Sequence, residues 1–196
     1  MKDWWQDDLV EIDRERPWEI LGRLDEIIPL LAAKYAIPRR GEGIWIAEDA
    51  AVADTAVLYP PVLVLDGASV GEWALLRGPC IVGFAAHVGH AVEVKNSLLL
   101  RGATAAHYNY VGDSILGAFS HLGAGAILSN LRLDERQILV QCPTFACPSG
   151  RRKLGALLGH HAQVGCNAVL NPGTLVEPYA TVYPLTSVGG LQKRRR

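Results

Sequence analysis

From Ile46 onward every sixth residue is aliphatic: Ile46, Val52, Leu58, Val64, Val70, Leu76, Val82, Val88, Val94 and Leu100. Four residues after each stands a second, mostly small residue: Ala50, Ala56, Val62, Ala68, Ala74, Cys80, Ala86, Val92, Leu98 and Thr104. That second residue lies two before the next aliphatic, so the two point to one side of a short strand of period two. The three residues between strands must turn the chain. Three strand-and-turn units restore the starting direction, so a coil takes 18 residues and stacks on the last at about 4.8 Å by parallel pairing. The pattern predicts a mainly β chain folded as a left-handed parallel β-helix of hexapeptide repeats, a triangular prism filled by the aliphatic stripe. An α-helix would need apolar spacings of three and four.

The six-residue register slips at Ala106, where two five-residue units, AHYNY and VGDSI, precede Leu116; it resumes as Leu116, Leu122, Leu128. A second uninterrupted run, Leu158, Val164, Leu170, Val176, Val182 and Val188, closes the prism. The stretch between the runs does not fit the period and must leave the prism as a long inserted loop or small hairpin, about 131–155. Ahead of the repeats, PWEILGRLDEIIPLLAAKY reads as an amphipathic helical segment with Pro17 in its first turn and Leu21, Leu24, Ile28 and Leu31 on one face. Its expected role is to cap the open end of the prism, whose edge strands would otherwise be exposed. The expected division is a helical cap or linker over 1–43, the β-helix domain over 44–192 and a basic tail over 193–196.

With 196 residues, 49% hydrophobic and 20% charged, the chain can bury a sizeable core as one domain. A net charge of −1 sets up no field for nucleic acid or a membrane surface. Arg151, Arg152 and Lys153 and the terminal Lys193 to Arg196 are local exceptions, read as solvated faces or anion contacts. The acidic N-terminus is unlike a signal peptide, and no apolar run reaches about 18 residues, which points to a cytoplasmic protein. Four cysteines, Cys80, Cys142, Cys147 and Cys166, are too few and too dispersed for a disulfide framework. The Cys142 and Cys147 pair in CPTFAC lacks zinc-knuckle spacing towards His160 and His161, so no metal is expected.

Residues 18 apart should share a corner on neighbouring coils. Arg77 and Lys95 are 18 apart and both follow an inward aliphatic residue. Two cations about 5 Å apart repel unless an anion bridges them, and a phosphate is the natural bridge. His107 reads as the same turn position two units after Lys95, within the slipped register, with Tyr110 following. An imidazole there suits a general base acting on an amine. His87, His90, His121, His160 and His161 show no comparable spacing argument.

The segments RGPCIVG, HVGHAVEVKNSLLLRGATAAHYNYVGDSILG, HLGAGAILSNLRLD and GRRKLGALLGHHAQVGCNAVLNPG resemble the acetyltransferase domain of bifunctional N-acetylglucosamine-1-phosphate uridylyltransferase/glucosamine-1-phosphate acetyltransferases, archaeal-type relatives included. The resemblance implies that Arg77 and Lys95 bind a sugar phosphate and that His107 is the base. It implies substrate contacts for Tyr110, Asn130 and His121, the last standing where the family usually has Asn at the amine end of the sugar. It places Ala124, Cys166 and Lys153 along the groove of acetyl-CoA, the co-substrate, and implies a homotrimer. Ala106 replaces the usual Gly before the base, and Asn109 varies the family's HLTY pattern. The glycine-rich nucleotide loop of the uridylyl-transferring domain is lacking, so only acyl transfer to the amine of an amino-sugar phosphate is expected. A separate nucleotidyltransferase is a conceivable partner. The rival from another class is a non-catalytic β-helix that binds a sugar nucleotide or a partner nucleotidyltransferase. A zinc carbonic anhydrase of prism fold needs two His five residues apart, a spacing found nowhere in the chain.

Overall fold

The computed structural model describes residues 4, 5, 7, 9–141 and 146–194; Cys142, Arg195 and Arg196 lie outside the described residues. The repeats wind into a β-solenoid of about eight turns. Its strands stack in parallel and in register: Ile44 on Val62, Val62 on Cys80, Cys80 on Ser97 along one column, Ser69 on His87, His87 on Thr104, Thr104 on His121 along another. The predicted stripe is the interior. Val64, Val70, Leu76, Val82, Val88, Val94, Leu116, Leu122, Leu128, Leu158, Val164, Leu170, Val176 and Val182 form one buried cluster, with Ile46, Val52, Leu58 and Val188 packed on it at the two ends.

The register slip is real but lies elsewhere than expected. Leu99, not Leu100, belongs to the interior, followed by Ala105, Val111 and Leu116. The two five-residue steps are therefore Val94 to Leu99 and Val111 to Leu116, on one corner of adjacent coils. Ala106 sits within a normal six-residue unit. Three consecutive leucines, Leu98 to Leu100, hid the step, because both outer ones are also buried.

They are buried because one face of the prism is covered. Its outward side chains, Leu63, Leu65, Ile81, Leu98, Leu100, Ile115, Leu157 and Leu175, join Trp18, Leu21, Leu24, Ile28 and Leu31 in a second core. The N-terminal segment is a 3-10 helix, Pro17–Gly22, followed by an α-helix, Leu24–Lys34, that carries Pro29 inside it. All four predicted face residues are buried. The helix does not cap the open end. It packs against Val62–Val64 and Leu75–Val82, on the flank, because that is where the apolar surface lies.

The inserted stretch resolves into an antiparallel hairpin, Leu139–Gln141 with Ala146–Pro148, closed at its base by an antiparallel bridge between Leu131 and Lys153. Ile138 and Val140 are buried against the second core. The Trp18 indole donates to the Ser149 carbonyl at 3.0 Å, tying the helical segment to the hairpin. Arg194 lays its guanidinium over the Tyr179 ring, 5.0 Å from the centroid.

The remaining two faces differ in character. The polar face turns outward Ser69, His87, Thr104, His121, Gln163 and Thr181. The open face turns outward Val57, Leu75, Glu93, Tyr110, Ile127 and Val169. Among the described residues no helix is long and apolar enough to cross a membrane.

Candidate active site

Arg77 and Lys95 are register partners on successive coils, at the corner where the open face meets the covered face. The 18-residue step placed them correctly. The inference that they need a bridging anion does not survive, because each cation already has its own carboxylate. The Arg77 guanidinium contacts Glu93 at 2.7 Å and the Lys95 ammonium contacts Asp113 at 3.0 Å. The first pair is exposed, at 48% and 32% of the side chains; the second is sheltered, at 23% and 5%. The Glu93 hydrogen bond, more than its charge, raises the Arg77 pKa.

Asp113 is the centre of this corner. Its carboxylate accepts from Lys95 Nζ, from Asn96 Nδ2 at 2.7 Å and from Asn130 Nδ2. Its backbone N–H donates to the Lys95 carbonyl at 2.8 Å, and its carbonyl accepts from Gly155 at 2.9 Å. Tyr110 closes the cluster. Its ring lies over Gly112, with the phenol beside Asn130: a Cβ on Gly112 would stand 2.6 Å from the Tyr110 hydroxyl and 2.7 Å from Asn130 Nδ2. Partial burial, then the nearby Glu93 and Asp113 carboxylates, raise the Tyr110 pKa. The structure thus brings together Arg77, Lys95, Tyr110 and Asn130, four of the residues singled out from the sequence.

His107 lies at the opposite edge of the open face. It is the second residue after inward Ala105, whereas Lys95 is the first after Val94, so the two occupy different turn slots as well as different corners. His107 is exposed, and its backbone N–H donates to the Asn109 carboxamide oxygen at 3.1 Å. Asn109 is itself buried and donates to the Gly123 carbonyl at 2.8 Å, so the side chain that departs from the family pattern anchors the His107 turn. Ala124 and Cys166 continue the His107 corner on the next two coils: the Gly125 N–H donates to the His107 carbonyl and the Asn167 N–H to the Ala124 carbonyl, both at 2.9 Å. Cys166 is exposed.

Two expected residues stand apart from these groups. His121 lies on the polar face, in register with Thr104 and Gln163. Lys153 pairs with Leu131 beside Asn130, on the Lys95 side of the molecule and away from Ala124 and Cys166.

Sequence reasoning passed over Glu93, Asp113, Asn96 and the Ser69–His87 pair. The Ser69 hydroxyl and His87 Nδ1 are 2.7 Å apart; desolvation and, after it, the nearby His107 lower the His87 pKa. The step of 18 from Lys95 reaches Asp113 by number only: the shortened corner makes that coil 17 residues, so the register partner of Lys95 is Gly112 and Asp113 stands one residue beyond it. Among the described residues no group of three or more His, Cys, Asp or Glu could hold a metal ion.

No protein-family model matches the chain. A bifunctional sugar-1-phosphate nucleotidylyltransferase/acetyltransferase of Sulfurisphaera tokodaii is 33% identical over 180 residues, 88% of this chain and 45% of that protein. The bifunctional protein GlmU of Thermus thermophilus is 36% identical over 143 residues, 67% of this chain and 28% of that protein. The chain therefore spans less than half the length of these relatives. A putative uncharacterized acetyltransferase, YaiX, of Escherichia coli is 27% identical over 154 residues, 79% of this chain and 67% of that protein. In fold the chain is similar to a hexapeptide transferase family protein from Anaplasma phagocytophilum, with a TM-score of 0.57 at 15% identity over 75% of this chain and 78% of that one. By sequence the chain resembles the C-terminal acetyltransferase domain of the bifunctional sugar-1-phosphate nucleotidylyltransferase/acetyltransferase proteins, and its fold is that of the hexapeptide-repeat β-solenoids.

Proposed function

We propose that the chain transfers the acetyl group of acetyl-CoA to the amine of an amino-sugar phosphate resembling glucosamine 1-phosphate. The observation that carries this reading is the corner at which Arg77 and Lys95 stand one coil apart beside Tyr110 and Asn130. Two fixed cations, each held by its own carboxylate, and the neutral Tyr110 and Asn130 suit a ligand with a phosphate at one end and hydroxyls along its length.

His107 accepts a proton from the sugar ammonium, freeing the amine. The amine nitrogen attacks the thioester carbonyl and a corner backbone N–H holds the developing oxyanion; as the C–S bond breaks, the nitrogen's second proton passes to the departing CoA thiolate, and His107 releases the first to solvent. Acetyl-CoA lies along the corner of His107, Ala124 and Cys166. His121, reached across the polar face, and Lys153, beside Asn130, contact the ligands from the periphery.

The working form is a homotrimer. The covered face is closed by the chain's own helix and the polar face suits water, so the open face, with Leu75, Tyr110, Ile127 and Val169, is the one left for a second copy. Three prisms meeting by that face bring the His107 edge of one beside the Arg77 and Lys95 edge of the next, which removes the separation seen within one chain. Light scattering coupled to size exclusion reads the assembly.

The enzymatic test is release of free CoA thiol from acetyl-CoA with glucosamine 1-phosphate and related amino sugars as acceptors. Wild type turns over and His107→Ala loses about 10²–10⁴-fold in kcat. Equal activity in the two removes the base. Binding of a sugar nucleotide without any turnover favours the rival, a non-catalytic partner of a separate nucleotidyltransferase.

A further inference from the structure

The geometry points to Asp113 as the positioning residue of the acceptor end: one sheltered carboxylate that fixes Lys95 and Asn130 as a rigid pair, so that a phosphate meets a lysine already held in place. The inference rests on the acyl-transfer reading and adds a residue to it.

Asp113 is placed by the second five-residue step. Because Val111 to Leu116 is one residue short, the chain turns at once after Gly112, and Asp113 adopts a left-handed conformation, φ 48°. Asn96 occupies the equivalent slot of the preceding short corner, φ 45°. The tight turns swing both side chains back across the corner rather than out to water. Asp113 thereby reaches Lys95 and Asn96 on the coil before and Asn130 on the coil after, and through its carbonyl holds Gly155, where the chain returns from the inserted hairpin.

A lysine alone would make a mobile phosphate binder, since its stem carries four rotatable bonds and an ammonium with no fixed donor direction. Tethering by a sheltered carboxylate removes that freedom before the ligand arrives. The same carboxylate offsets the lysine's charge, so the phosphate is recognised by placement more than by bulk charge. Arg77 is different: its exposed partner Glu93 can be exchanged for a ligand oxygen, whereas Asp113, saturated by three donors, stays where it is.

The test compares wild type with Asp113→Asn, alone and with Lys95→Met, in the full chain. Asn keeps the size and tolerates the left-handed turn but puts an NH₂ among three donors and leaves Lys95 unpaired. Calorimetric affinity for glucosamine 1-phosphate without acetyl-CoA should fall at least about 10-fold. KM for the same sugar phosphate should rise in step, with KM for acetyl-CoA unchanged. In the Lys95→Met background Asp113→Asn should cost less than it does alone, because its effect through Lys95 is already gone and only that through Asn130 remains. Additive losses, an unchanged sugar-phosphate affinity, or an equal rise in both KM values would overturn the inference. Should Asp113→Asn fail to fold, Asn96→Gly suits the φ and removes one of the three donors; a several-fold loss of affinity supports the inference and no loss overturns it. A wild type that binds the sugar phosphate without acetylating it sinks the enzymatic reading and leaves the affinity comparison decisive for Asp113. A wild type that binds neither glucosamine 1-phosphate nor inorganic phosphate sinks both.

Discussion

Arg77 and Lys95 are register partners, one coil apart, yet they are held by different carboxylates of opposite exposure: Glu93 in the open and Asp113 under cover. Exposed pairs contribute little to stability, while removing one partner of a sheltered pair leaves a charge that water cannot solvate. Arg77→Ala should leave the midpoint of urea unfolding almost where it was. Lys95→Met should lower stability by about 1–3 kcal/mol, since Asp113 keeps only its two amide donors. Both should weaken binding of glucosamine 1-phosphate, so stability and affinity separate the two cations that the sequence presents as equivalent.

Gly112 carries the shape of the same corner. Its backbone is not left-handed, so alanine is conformationally allowed; the obstacle is contact, since a Cβ would meet the Tyr110 ring and the Asn130 amide at 2.6–2.7 Å. Gly112→Ala should push the Tyr110 phenol off its seat, cost about 1–3 kcal/mol in urea unfolding and raise KM for the sugar phosphate. A Gly112→Ala, Tyr110→Leu double variant, which gives the ring's place to a shorter side chain, should recover stability without recovering affinity.

The inward stripe was legible because each inward position carries one hydrophobic residue and the step is constant; the candidate pair Arg77 and Lys95 followed from the same step. What was not legible were places where a second requirement overlies the first. Leu98, Leu99 and Leu100 are all buried, two against the helical segment and one inside the prism, so the alternation that should mark the shortened corner is absent. The flanking position of the helix was hidden for the same reason: outward apolar residues such as Ile81 and Ile115 read as ordinary variation until the two cores are separated. Asp113 was not legible because the shortened corner sets it one residue beyond Gly112, the register partner of Lys95, so no constant register step links it to the two cations. The covered face yields its own prediction. Ile115→Asp, outward but roofed by the second core, should destabilise by more than about 3 kcal/mol. Gln163→Lys, outward on the polar face and exposed, should stay within about 0.5 kcal/mol. Guanidinium unfolding of the two variants checks both.

The cysteines divide by burial in a way that reports on the proposed donor groove. Cys80 is enclosed in the prism, where desolvation outweighs the backbone N–H groups near its sulfur and pushes the thiol up to about 12. At pH 8 its thiolate fraction is therefore about one in ten thousand, and the thiolate is the reacting form. Cys166 stands exposed on the corner that also carries His107 and Ala124. With Cys147→Ser and Cys142→Ser to simplify the signal, a chromogenic disulfide reagent at pH 8 should titrate one thiol quickly and the second only on unfolding. The linkage has a definite sign: between the ordinary thiol range near 9 and about 12 the unfolded chain has lost a proton that the folded chain keeps, so Cys80 makes the fold less stable as pH rises through that window. Saturating CoA should slow the fast Cys166 phase if the cofactor lies along this corner, and a phase indifferent to CoA at saturation would move the donor site elsewhere on the prism.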